Sequence, residues 1–197
     1  MISPSDPAAV ADAILRIARA RPATLGAGRL ICIDGPAGAG KTTLARRLAE
    51  CTGGAVVHMD DLYGGWTGLA ALTVQLPTIL DPLAAGSAGT YRRYDWTLGR
   101  YAETVTVHPG PWLILEGVGS ASRAHATLAT VQVFIDAPPG ERLERGLARD
   151  GEAALPHWKR WMVDEADLFE RERPADRADM LVDGTGRTPP VVRGDIA

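Results

Sequence analysis

The chain has 197 residues, a length that suits one domain with a buried core. Its apolar fraction of 46% and charged fraction of 23% are ordinary for a globular protein, and a net charge of −3 offers no basic field to nucleic acid or to a membrane surface. Cys32 and Cys51 cannot build a disulfide framework and form no CxxC pair, so a reduced, cytoplasmic setting is expected.

Residues 1–22 read as an N-terminal helix and not as a signal segment. Pro4, Asp6 and Asp12 interrupt any apolar run, and no stretch approaches the length of a membrane span. Asp6 is the expected cap, Pro7 opens the first turn, and Val10, Ile14, Leu15, Ile17 and Ala18 recur at helical spacing until Pro22. Residues 29–34 form a short apolar run ending in glycines, which predicts a strand buried on both faces. Residues 42–51 put Leu44, Ala45 and Leu48 on one side and Arg46, Arg47 and Glu50 on the other, a helix. Further strands are expected at 55–59, 112–115, 131–135 and 179–182. Helices are expected at about 140–150 and at 156–171, the second with Trp158, Trp161, Met162, Glu165 and Phe169 on one face. Strands alternating with helices predict an α/β fold with a mostly parallel sheet, whose ligands sit beyond the carboxyl ends of the strands.

Gly35, Pro36, Ala37, Gly38, Ala39, Gly40, Lys41 and Thr42 fit the pattern G-x-x-x-x-G-K-[ST], with Thr43 following in the helix. The pattern lies between a strand and a helix, the context it requires. The glycines let successive N–H groups turn inward on phosphate oxygens, and the helix N-terminus adds favourable dipole charge. Lys41 supplies a cation and Thr42 a hydroxyl for Mg²⁺, which points to ATP or GTP with magnesium. The chain contains no Asn, so it lacks an Asn-Lys-x-Asp guanine reader, and ATP is favoured.

Two acidic stretches end neighbouring strands. The run His58-Met59-Asp60-Asp61-Leu62-Tyr63 is either a solvated turn or the carboxylate that accepts a hydroxyl proton and helps hold the metal. Strand alternation predicts that only one of Asp60 and Asp61 faces the phosphates. Glu116, after the apolar run 112–115, reads either as a metal carboxylate or as a turn residue.

Asp60-Asp61-Leu62-Tyr63, Tyr94-Asp95-Trp96, the stretch 103–109 (Glu-Thr-Val-Thr-Val-His-Pro) and Leu115-Glu116-Gly117 together resemble the uridine kinase (uridine–cytidine kinase) branch of the P-loop small-molecule kinases, over about residues 30–185. The resemblance implies a five-stranded parallel sheet with helices on both faces and an arginine-bearing lid. It implies Mg·ATP in the loop and a nucleoside or similar small acceptor over the strand ends. Asp60 then acts as the base and joins Thr42 and Glu116 at the metal. Tyr63, Tyr94, Asp95 and Arg100 line the acceptor site, and residues 60–110 form an acceptor-binding insertion. The stretch 96–100 is one residue shorter than in the uridine-type enzymes and lacks their histidine. Trp66 has no counterpart there, and either stacks on an acceptor ring or anchors its glycine-rich loop.

Residues 142–156 are the expected lid. Arg142, Arg145 and Arg149 share a helix face, suited to the charge of a moving phosphoryl group, or else pair with Glu141 and Glu144 as a solvated face. An arginine of the family's lid falls on Gly146. Arg92 or Arg93 could hold an anionic acceptor, residues 184–187 fall where adenine binds in similar kinases, and residues 188–197 form a loosely held tail. His58, His108, His125 and His157 show no metal spacing and are assigned structural or surface roles. The leading reading is an ATP-dependent kinase of a nucleoside hydroxyl. The alternatives are a monophosphate kinase of CMP type, a kinase of a non-nucleoside alcohol, and a regulatory ATP-binding protein.

Overall fold

The structure is a computed structural model that describes residues 6–193, apart from the side chains of residues 70–73. Residues 1–5 and 194–197, which belong to the expected N-terminal segment and tail, lie outside the described residues. Helix α1 (Pro7–Ala20) starts as its sequence requires, with Asp6 accepting a hydrogen bond from Ala8 N. Strand β1 (Arg29–Asp34) leads into α2 (Lys41–Thr52), then come β2 (Ala55–His58), α3 (Leu72–Ala84), β3 (Gly89–Asp95), β4 (Arg100–Val107), β5 (Trp112–Glu116) and β6 (Val131–Asp136). The chain ends with α4 (Pro139–Asp150), α5 (Leu155–Glu172), α6 (Pro174–Arg177), β7 (Met180–Asp183) and β8 (Val191–Val192).

The central sheet runs β2-β5-β1-β6-β7-β8. Its first five strands are parallel, and β8 pairs antiparallel with β7. The sheet therefore has six strands and not five. The sixth comes from the stretch expected to be a loose tail, where Val191 and Val192 pair with Leu181 and Met180. Strand alternation sorts β1 between two cores. Leu30 and Cys32 pack with α3 and Trp161, while Ile31 and Ile33 pack with α1 and α2. This double burial explains the near-continuous apolar run of the strand.

Two elements depart from the sequence expectations. Helix α3 carries Pro77 and Pro82, which hide it from a periodicity reading because each removes a helical N–H. β3 and β4 form a separate antiparallel hairpin with an irregularity between Arg92 and Tyr94. Its tip is closed by Asp95, whose Oδ1 accepts from Thr97 N and Leu98 N at 2.9 Å each.

β1 lies between β5 and β6, so the carboxyl ends of β1, β2 and β5 open on the same side. Register places Glu116 opposite both Ile33 and His58, and this brings the end of β5 against the loop that follows β1.

Candidate active site

A cavity of about 720 Å³ opens at these strand ends. Its walls include Gly38, Gly40, Lys41, Thr42, Thr43, Asp60, Asp61, Glu116, Arg145 and Arg149, along with Trp66, Trp96, Trp158 and Trp161. The sequence-derived phosphate loop, the acidic turn, the strand-end glutamate and two of the three lid arginines thus face one space.

The loop after β1 is braced from behind by residues that periodicity and motif spacing do not reveal. Buried Asp34 accepts from Gly35 N, Gly119 N and Ala121 N at 2.7–2.9 Å, tying the loop to the chain after β5. Burial raises its pKa, while these N–H groups and Lys41 oppose the shift. Gly35 has a φ of 137°, and a Cβ there would lie 2.0 Å from Ile135 O, so only glycine fits against β6. From α5, buried Glu165 accepts from Ala37 N at 2.9 Å, from Trp161 Nε1 at 3.1 Å and from Arg142 Nη1 at 2.6 Å.

Arg142 is accordingly not a lid residue. It is buried beneath the phosphate loop, donating also to Ala37 O and Ala137 O. Helical spacing put it beside Arg145 and Arg149, but its side chain turns inward to the charge of Glu165. Breaking a buried pair strands one charge, so Arg142→Leu is expected to destabilise the fold by about 3–5 kcal/mol. Urea denaturation checks this, and an unchanged midpoint would deny the brace.

In the loop itself, Lys41 Nζ donates to Gly35 O at 2.7 Å and Pro36 O at 2.8 Å. Desolvation lowers its pKa, against the pull of Glu116, Asp60, Asp34 and Glu165. Among the described residues, no group accepts from the N–H of Gly38, Gly40, Lys41 or Thr42. Four unpaired donors at a helix N-terminus, beside a buried ammonium, match the oxygens of a polyphosphate.

Thr42 Oγ1 donates to Glu116 Oε1 at 3.1 Å, and His58 Nδ1 meets the same oxygen at 2.5 Å. This bond raises the pKa of His58. Parallel register sets His58 opposite Glu116, so it holds that carboxylate from outside the cavity wall. Asp60 lies on the cavity wall, its surface open to solvent while protein crowds it on the other sides. Desolvation raises its pKa, Lys41 opposes this and Glu116 adds to it. Asp60 and Asp61 both line the cavity. Asp60 feels the charge of Lys41, whereas Asp61 accepts from Tyr91 Oη at 3.4 Å; β2 ends at His58, and residues 59–61 turn in a 3₁₀ helix that sets these two directions.

These oxygen donors suit a hard cation. Among the described residues, no three His, Cys, Asp or Glu side chains converge into a protein-only cage.

On α4, Arg145 Nη1 donates to Gly38 O and Gly184 O at 3.1 Å each, bridging the phosphate loop to the turn after β7. Arg149 pairs through two nitrogens with Asp150 and lies 5.9 Å from the ring centroid of Trp158. Gly184 and Thr185 border a neighbouring recess of about 380 Å³ with Ala39, Thr43 and Arg145.

Several residues expected to contact the acceptor lie elsewhere. Tyr63 is fully buried, donating to Val118 O at 2.5 Å and packing edge-on against Trp161. Tyr94 packs against Trp96 and Tyr101 on the hairpin, and Asp95 closes the hairpin turn. Arg100 is exposed at the start of β4. Arg92 donates to Tyr101 O and lies over the Tyr101 ring, and Arg93 pairs with Glu103 and Asp95. None of these six lines the cavity. Trp66 is a packing anchor that also reaches the cavity wall. It borders the cavity and anchors its loop, stacked on His157 at 5.5 Å and edge-on to Trp96, Trp158 and Trp161.

The fold and the loop-centred site define a P-loop kinase. A uridine kinase of Deinococcus deserti is 31% identical over 145 residues, which cover 61% of this chain and 68% of that protein. The chain belongs to the uridine kinase-like family of P-loop small-molecule kinases, phosphotransferases with an alcohol group as acceptor. A cytidylate kinase of Bordetella pertussis is 34% identical over 131 residues, 66% of this chain, and the match spans 57% of that enzyme's length. Among solved structures, a possible uridine kinase from Bacillus stearothermophilus superposes with a TM-score of 0.58 at 25% identity, covering 88% of this chain and 95% of the other. A candidate fructose transport system kinase from Silicibacter shares the fold, with a TM-score of 0.59 at 20% identity over 85% of this chain and 95% of the other. No protein-family profile matches the chain. Among the described residues, no helix is long and apolar enough to cross a membrane.

Proposed function

We propose that the protein transfers the γ-phosphoryl group of Mg·ATP to a hydroxyl of an unphosphorylated nucleoside. The observation that carries this reading is the meeting of Asp60 with Lys41, Thr42 and Glu116 in one cavity. The unpaired N–H groups of the phosphate loop and Lys41 hold the triphosphate. Thr42, Glu116 and Asp60 would hold magnesium, which would neutralise charge on the phosphate oxygens. Asp60 orients the acceptor hydroxyl and takes its proton as the hydroxyl oxygen bonds to the γ-phosphorus and ADP leaves. Arg145 and Arg149 stabilise the charge of the moving group, as expected of a lid. Trp66 and Trp96 offer aromatic surface to a planar acceptor.

The similarity to cytidylate kinases favours a second reading, with a nucleoside monophosphate as acceptor. Such an acceptor needs cations in the acceptor half of the cavity, yet Arg92 and Arg93 are committed within the hairpin. Arg92→Glu and Arg93→Glu are therefore expected to change acceptor kcat/KM by less than about fivefold, the scale of an exposed ion pair. ADP release should be stimulated by nucleosides and not by their monophosphates. A monophosphate that outperforms its nucleoside, and loses that advantage in Arg92→Glu or Arg93→Glu, would replace the first reading with the second. ADP release that no acceptor stimulates would favour a regulatory ATP-binding protein.

A further inference from the structure

Two departures from the family pattern, Trp66 and Gly146, meet at one residue. A Cβ on Gly146 would lie 2.1 Å from the ring of Trp158, so the absence of a side chain at 146 is what lets this indole sit against α4. Trp158 is 1% exposed. Its Nε1 donates to Asp150 Oδ2 at 2.9 Å, and the same carboxylate receives Arg149 through Nε at 2.7 Å and Nη2 at 2.9 Å. The guanidinium is thus fixed from two sides, by the carboxylate that Trp158 orients and by the indole face itself. On its other side Trp158 meets Trp66, 6.1 Å between ring centroids, and Trp66 stacks on His157 of the same helix. Trp66 also touches Trp161, whose Nε1 bonds Glu165, the residue that holds Ala37 N of the phosphate loop. Trp158, Trp161 and Glu165 are spaced i, i+3 and i+7 and share a face of α5. One helix face therefore joins the acceptor-side loop, the lid arginine and the phosphate loop.

We propose that Trp158 is a positioning residue that seats Arg149 over the phosphate site, and that Trp66 keys the acceptor-side loop into this seat. The proposal rests on the kinase reading above and on the role of Arg149 in it. It assigns Trp66 an effect on the rate of transfer beyond any contact it makes with an acceptor.

The test is a pair of kinetic double-mutant cycles, Trp66→Leu with Arg149→Lys and Trp158→Phe with Arg149→Lys. ATP affinity is measured separately by calorimetry. Trp66→Leu and Trp158→Phe are each expected to lower kcat about tenfold, the scale of coupling between contacting residues. KM for ATP should change less than about twofold, since the loop N–H groups and Lys41 that would hold the triphosphate are unaltered. In the Arg149→Lys background the same substitutions should cost less than about threefold, because the seated fork is already gone. Trp66→Phe, which keeps an aromatic contact with Trp158, should restore most of kcat. Equal losses in both backgrounds would overturn the proposal, as would a loss confined to the acceptor KM. If Trp66→Leu does not fold, the Trp158→Phe cycle and Trp66→Phe decide by the same criteria. A wild-type protein that transfers no phosphoryl group would instead overturn the kinase reading itself.

Discussion

Asp60→Asn is expected to lower kcat by about 10²–10⁴-fold, the usual contribution of a positioned general base, while leaving ATP affinity nearly unchanged. The substitution keeps the size of the side chain and removes its capacity to take a proton. It should not disturb the local fold, because the hairpin is fastened to the main chain at this position. Trp96 Nε1 donates to Asp60 O at 3.0 Å, not to the carboxylate. The nucleotide grip also survives, since the loop N–H groups, Lys41, Thr42 and Glu116 are all retained. Kinetics at saturating ATP and acceptor, together with calorimetric titration of ATP, separate the two effects. A folded Asp60→Asn protein that no longer binds ATP would show that Asp60 serves the nucleotide and not the acceptor hydroxyl.

Lys41→Ala should be nearly as severe, but on the other substrate. It is expected to lower kcat/KM for ATP by about 10²–10³-fold, the cost of removing one preorganised electrostatic partner. Lys41 is the cation toward which Glu116, Asp60, Asp34 and Glu165 all direct their charge. Without it these carboxylates repel one another as well as the incoming triphosphate. The pKa of Asp60, which Lys41 holds down against desolvation, would rise further. The variant also leaves Gly35 O and Pro36 O without the donor they now share, so a modest loss of stability accompanies the loss of binding. Calorimetry on the folded variant is the direct check. An ATP affinity within about threefold of wild type would show that the loop N–H groups suffice and that the ammonium has another role.

What the sequence made legible was local and contiguous. The phosphate loop could be read because its eight residues are adjacent and lie between a strand and a helix. Asp60 and Glu116 could be read because acidic residues that end apolar strands converge in a parallel sheet. The bracing could not be read this way. Asp34 reaches Ala121 across 87 positions, and Glu165 reaches Ala37 across 128, so no spacing rule links them. A buried carboxylate directly before the loop, and an acidic residue on an otherwise apolar face of α5, were the available signals. Arg142 shows the opposite error. Helical spacing fixed its face correctly, but only packing shows that α4 turns this position inward to Glu165. Tyr63 and Asp95 belong to motifs shared with the family, yet here one is a core residue and the other closes a turn. Motif position carried the fold of these residues further than their contact with an acceptor.

Phosphorus NMR of a reaction containing Mg·ATP and a nucleoside tests the central claim most directly, run with wild type and with Asp60→Asn. The expected result is a new phosphomonoester signal on the nucleoside, matched one for one by ADP, and absent at the same enzyme level with Asp60→Asn. ADP accompanied only by inorganic phosphate, with every nucleoside and alcohol offered, would contradict it, as would a phosphomonoester formed equally fast by both proteins.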